Sequence, residues 1–135
     1  MDRIARIVAA VLIAAGGAIH LELYDSGYRS FPNASLGRSF IANAVASFAV
    51  ALLIVVWRSI WPLLAGLAVT DGTLVAFALS RTDRGIFGFT ERGFSPSPEA
   101  ALTLVTEIGA AVVLVALVAQ HLLRDRRGMP PMAAV

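Results

Sequence analysis

The sequence predicts an all-α membrane protein, a four-helix transmembrane bundle with both termini on the cytoplasmic side. Two observations carry this. Of the 135 residues, 58% are hydrophobic and only 15% charged, with a mean hydropathy of +0.78, whereas soluble domains carry about a quarter charged residues. The apolar residues also fall into four runs, at about 4–24, 39–57, 60–80 and 100–123, each close to the roughly 20 residues that a spanning helix needs. No alternating strand pattern accompanies them, and backbone polar groups in lipid must be satisfied internally, so the runs read as helices. The length allows a single domain, residues 1–135.

The first run ends in "GGAIHLELYD" and starts behind Arg3 and Arg6. Two arginines, an apolar core and the small residues "AAGGA" also fit a secretory signal, but the run is long enough to be retained as a spanning helix. Ala10, Ala14 and Ala18 recur at spacing four, as do Ala42 and Ala46 in the second run and Gly66 and Thr70 in the third. Such small residues let helices approach closely in lipid. Between the second and third runs stands only "WRSIWP", a tight turn that makes those helices antiparallel neighbours. The loops at 25–38 and 81–99 are longer and carry Gly, Pro and Ser punctuation. The fourth run is long enough to span with some tilt.

Four spans put both long loops on one side and both termini with the short turn on the other. The termini and turn hold Arg3, Arg6, Arg58, Arg124, Arg126 and Arg127, while the loops mix Arg29, Arg38, Arg81, Arg84 and Arg92 with Asp25, Asp83, Glu91 and Glu99. Density in short segments places the termini and turn inside and the loops outside the cytoplasm. Trp57 and Trp61 flank the turn, and Tyr24, Tyr28 and Phe31 flank the first loop, as aromatic belts do. The expected location is a bacterial cytoplasmic (inner) membrane, crossed several times. All 11 basic residues are arginines; scattered at segment ends, they form no nucleic-acid tract. The absence of cysteine excludes disulfides, thiol redox chemistry and thiolate metal sites.

His20, Glu22, Asn43, Asp71 and Glu107 lie within apolar runs. A charge at mid-helix costs about 2.5–3.5 kcal/mol on insertion scales, so such residues face the bundle interior and mark function. At about 1.5 Å per residue, His20 and Asn43 lie roughly 6 Å in from the loop side, Glu107 about 11 Å and Asp71 about 13 Å. Four helices therefore each bring a polar group to the loop-facing half, while the other half is almost purely aliphatic. Ser39, Asn43 and Ser47 form a stripe, and Thr103 lies one turn from Glu107. The expected site is a polar chamber open toward the loops and lined by His20, Asn43, Asp71, Thr103 and Glu107. The loop stretch "GIFGFTERGF" would cap it with Phe87, Phe89, Glu91 and Arg92, with Glu91 and Arg92 free to pair with Arg29 or Asp25. Blander readings stand beside these: His20 reaching the headgroups, Asp71 bonding between helices, the loop phenylalanines as a belt. His121 belongs with Arg124 at the inner interface as an anchor. Asn33-Ala-Ser35 matches a glycosylation triplet, a pattern common by chance.

No catalytic residues are legible: there is no Ser–His–Asp order, phosphate loop or GxGxxG motif. A divalent metal would have only His20 and Glu107 to draw on. His20 and His121 stand near opposite helix ends, roughly 20 Å or more apart by helix rise, so one haem iron cannot take both. No cofactor is specified. Three readings follow. In the first, the chain binds a small ligand, lipid or partner protein through the chamber without catalysis. In the second it is a proton- or cation-coupled transporter acting as an oligomer. In the third it is a quinone- or metal-linked redox subunit. The partners expected are the lipid bilayer and a membrane protein or a second copy, with no nucleic acid.

The pattern in "GGAIHLELYDSGYRSFPNASLGRSFIANAVAS", followed by "IFGFTE" and "LVTEIGAA", resembles a group of small four-helix integral membrane proteins of actinobacteria. His20, Leu21, Tyr24, Gly27, Tyr28, Gly37, Asn43, Gly88, Phe89, Glu91 and Glu107 carry the resemblance. It implies a four-helix membrane fold and brings no settled activity with it. A looser similarity to DoxX-like proteins concerns size and helix count only.

Overall fold

A computed structural model describes residues 2–128. Four helices follow one another: α1 (Asp2–Ser26), α2 (Ala34–Val56), α3 (Trp61–Ser80) and α4 (Glu99–Gly128), with one 3₁₀ turn at Tyr28–Ser30. All four are long and apolar enough to cross a membrane. Among the described residues the only strand-like pairing is an isolated bridge between Ile86 and Phe89. The helices alternate in direction, α1 packing on α2 and α4, and α3 on α4 and more thinly on α2. One end of the bundle carries the two long loops, the other the termini and the α2–α3 turn.

Only 28–33% of each spanning window is buried inside the bundle, and Val45, Leu52, Val75, Val105 and Val112 stand exposed on its outside. Such a surface would aggregate in water; acyl chains cover it at no cost. Because lipid tails are as apolar as leucine, association relies on close backbone approach. Gly17 supplies it between α1 and α2: a Cβ there would meet the Ser47 Cβ at 2.7 Å. The contact face of α1 thus runs through Ala10, Gly16 and Gly17, all buried, with Ala14 packed against the core; Ala18, the last member of the spacing-four row, is exposed.

The turn end is tightly filled. Ile13, Ile54, Leu63 and Leu114 meet there essentially without exposure, and Gly66 lets α3 settle on three of them, with Leu114, Ile13 and Ile54 methyls 3.1–3.3 Å from where its Cβ would stand. The turn is held by Arg6, whose guanidinium donates to the carbonyls of Ile54, Trp57, Arg58 and Ser59 at 3.2–3.3 Å. These are acceptors left over where α2 ends, and the cation sits at the negative end of that helix's dipole. Pro62 in the first turn of α3 loses no hydrogen bond there.

α2 begins at Ala34, five residues before the apolar run does, because the Asn33 side chain accepts a hydrogen bond from the Ser35 amide at 3.0 Å. The triplet that reads as a glycosylation signal is a helix cap here.

Candidate functional site

Toward the loop end, residues of α2 and α3, with the loops beside them, line a cavity of about 470 Å³. Its walls are small or apolar: Ala42 and Ala46 from α2; Ala68, Val69, Gly72 and Ala76 from α3. His20 and Leu23 of α1 and Ala100 and Thr103 of α4 close the back. Ala42, Ala68 and Gly72 line the cavity and are also exposed on the outer surface. The space therefore opens sideways between α2 and α3.

The roof is an aromatic chain. His20 tilts against Phe40 with ring centroids 5.3 Å apart. Phe40 stacks on Tyr28 at 4.7 Å, and Phe89 meets Tyr28 and Phe31 edge-on at 5.2 and 5.4 Å. The loop that brings Phe89 makes a two-residue turn between Ile86 and Phe89. Its tip residues Phe87 and Gly88 both adopt positive φ, 55° and 76°, the geometry of a tight primed turn. Asn33 Nδ2 donates to the Phe87 carbonyl at 3.0 Å.

Polar contacts tie this roof to α3. The Tyr28 hydroxyl donates to Glu91 Oε1, and Glu91 Oε2 lies 3.3 Å from Arg81 Nη2 with both side chains largely buried. The Glu91 amide donates to the Ser80 carbonyl at 2.8 Å. Arg81 also donates to the carbonyls of Gly93 at 3.3 Å and Ser95 at 2.9 Å, while its guanidinium stacks 3.5 Å over the Phe77 ring. Burial, followed by the hydrogen bond given to Glu91, pushes the Tyr28 hydroxyl well above its ordinary range, so it stays a donor.

The predicted chamber is brought together in part. His20, Asn43 and Thr103 line the cavity. Asn43 Nδ2 donates to Thr73 Oγ1 at 2.7 Å and its Oδ1 accepts from Ser47 at 3.2 Å, so it links α2 to α3 at the cavity's edge. Glu107 does not line the space. It is buried at 2% exposure and presses against Gly16, where an added Cβ would meet its Oε1 at 2.7 Å. Beside it the fully buried Thr70 hydroxyl faces the carboxyl without full hydrogen-bond geometry. Asp71 is outside altogether, exposed on the outer surface of α3 next to Gly72. Its depth was legible, but α3 is apolar nearly all round, so nothing in the sequence fixed its rotation, and Thr70 and Thr73 took the inner face.

The cap is also half as predicted. Phe89 and Glu91 line the cavity, whereas Phe87 and Arg92 are exposed and do not. Glu91 pairs with Arg81 and Tyr28, not with Arg29; Arg29 and Asp25 pair with each other at 2.8 Å along α1 and its following turn. His121 sits at the other end, 3.5 Å from Asp125, in a recess with Arg3, Arg6, Arg58 and Arg124. Among the described residues no three His, Asp or Glu side chains gather as metal ligands, so His20 and Glu107 gain no third donor. Arg81 and Tyr28 were not singled out for the site; only the i to i+10 spacing of Arg81 and Glu91 across a Gly-rich loop could have hinted at that pair.

Comparison with family models, with curated proteins and with solved structures returns no match to this chain.

Proposed function

We propose that this chain is a multi-pass protein of a bacterial cytoplasmic membrane, of the small actinobacterial four-helix kind, which binds a small lipophilic molecule in the α2–α3 cavity without transforming it. In this reading the long loops face away from the cytoplasm, and the binding site lies in the outer leaflet. The observation that carries it is the cavity itself. Its 470 Å³ falls within the about 300–1,000 Å³ of small-molecule sites, which are likewise mostly apolar with a few placed polar groups. A bundle held together by close approach gains nothing from such a space when empty.

Transport is less well supported, because beyond Thr70 and Glu107 the bundle is filled by Ile13, Ile54, Leu63 and Leu114.

The test is purification in mild detergent, with solvent extraction, mass spectrometry, an absorbance spectrum and metal analysis on one sample. Wild-type protein is expected to retain a lipophilic molecule in near-stoichiometric amount. Ala46→Trp, which fills the cavity from α2, is expected to lose it while staying folded. Equal retention by both proteins would contradict the reading.

A further inference from the structure

Within the cavity, most polar side chains are already satisfied by the protein. Asn43, Thr73 and Ser47 bond one another, Ser80 donates to Phe77 O, and Tyr28, Glu91 and Arg81 form the roof network. Two atoms are left over, one from each helix at the back wall. The first is His20 Nε2. Its partner nitrogen Nδ1 lies 2.9 Å from the Gly16 carbonyl. A carbonyl only accepts, so Nδ1 carries the hydrogen, and in the neutral ring Nε2 is a bare acceptor. The second is the Thr103 hydroxyl, on a side chain only 5% exposed, which makes no hydrogen bond among the described residues. Both residues are nine-tenths buried or more, and both line the cavity. Among the described residues the fully enclosed atom without a partner is Thr70 Oγ1, not either of these; both are open to the cavity and so available to a ligand.

Charge narrows the ligand further. The cation in the lining, Arg81, is already neutralised by Glu91 and spread over backbone carbonyls. A phosphate or carboxylate head would find no free counter-charge and would face the Glu91 carboxylate instead. The sideways opening between Ala42 and Ala46 on α2 and Ala68 and Gly72 on α3 is walled by the smallest side chains and gives onto the acyl chains.

We infer that the cavity binds a neutral lipophile with a hydroxyl head, which donates to His20 Nε2 and accepts from Thr103 Oγ1, its apolar body leaving for the bilayer between α2 and α3. This rests on the binding reading above and adds the chemistry of the head and the route of entry. Two sources share that chemistry, a quinol and a long-chain alcohol.

The test uses the full chain in lipid nanodiscs, with ¹⁵N-labelled histidine and four probes: decylubiquinol, decylubiquinone, dodecanol and dodecane. Both hydroxyl probes are expected to shift the His20 Nε2 resonance, and the tighter of the two identifies the source. Decylubiquinone, which cannot donate, and dodecane should leave that resonance in place. His20→Phe should weaken the hydroxyl probe about tenfold, one hydrogen bond's worth, and His20→Gln, which restores an acceptor, should recover most of the loss. A lysophosphatidylglycerol competitor should not displace the probe. An unmoved resonance, equal affinity for quinol and quinone, or displacement by the phosphate head overturns the inference. If Ala46→Trp still blocks dodecane uptake in that case, the cavity remains a binding site with a different head chemistry. If Ala46→Trp blocks nothing, the binding reading falls as well.

Discussion

At the turn end, Ile13, Ile54, Leu63 and Leu114 are in full mutual contact; at the loop end, helices of similar apolar content stand around 470 Å³ of space. α3 passes through both regions, with Gly66 on its buried face at the turn end and Gly72 on its exposed face at the cavity's edge. An added Cβ at Gly66 would meet three side chains at 3.1–3.3 Å, whereas one at Gly72 would meet nothing within 4 Å. Composition alone cannot make this contrast. It comes from where the small residues fall: at the turn end they lie opposite large partners, and across the α2–α3 gap alanine faces alanine and glycine. Hydrophobicity gets the chain into the membrane, and side-chain volume decides which half is hollow.

The contrast breaks most easily at the filled end. Leu114→Ala is expected to cost about 2–4 kcal/mol, read as a drop in detergent melting temperature, since the fully buried site cannot collapse around the missing atoms. Arg6→Gln comes next. It leaves the carbonyls of the α2–α3 turn short of donors and should cost about 1–2 kcal/mol, with faster amide exchange confined to the turn.

A paired substitution sharpens the comparison on a single helix. Gly66→Ala should destabilise by about 1 kcal/mol through overpacking, and Gly72→Ala should be neutral or stabilising by up to about 1 kcal/mol from helix propensity. Equal effects at the two positions would mean that Gly72 is enclosed as closely as Gly66.

Much of the architecture was legible because hydropathy is a one-dimensional signal. The four spans lie within a few residues of the runs, except that α2 extends back to Ala34 behind Asn33, whose capping role was hidden by a second meaning of the same triplet. Depth was legible too: His20 and Asn43, counted to one level, both line the cavity, and Thr103, read as one turn from Glu107, lines it with them. Rotation was not. Asp71 was assigned to a chamber it does not line because α3, evenly apolar, has no polar face to orient it; Glu107 does face inward, as read, but presses against Gly16 instead of lining the cavity. The Arg81–Glu91–Tyr28 roof joins two loops and the end of α3, a contact that no local pattern announces.

The smallest expected effect falls on that roof. Tyr28→Phe removes one hydrogen bond to Glu91 and should cost about 0.5–1 kcal/mol. The folded-state pKa of Tyr28 is raised above its ordinary value, so its contribution is complete below about pH 10 and is lost as pH climbs toward the folded value. In an absorbance titration of the phenolate, the late-ionising component of the wild type should be missing from Tyr28→Phe. Its persistence would place that ionisation on another residue.

The central claim is that the loop half holds a lipophilic molecule and the turn half does not. Labelling of the protein in membranes with a small lipophilic diazirine, followed by peptide mapping, tests it most directly. The expected result is saturable labelling concentrated on residues 36–46 of α2 and 68–77 of α3, abolished by Ala46→Trp. Labelling that rises linearly with reagent and spreads evenly over the outer faces of both halves would contradict it.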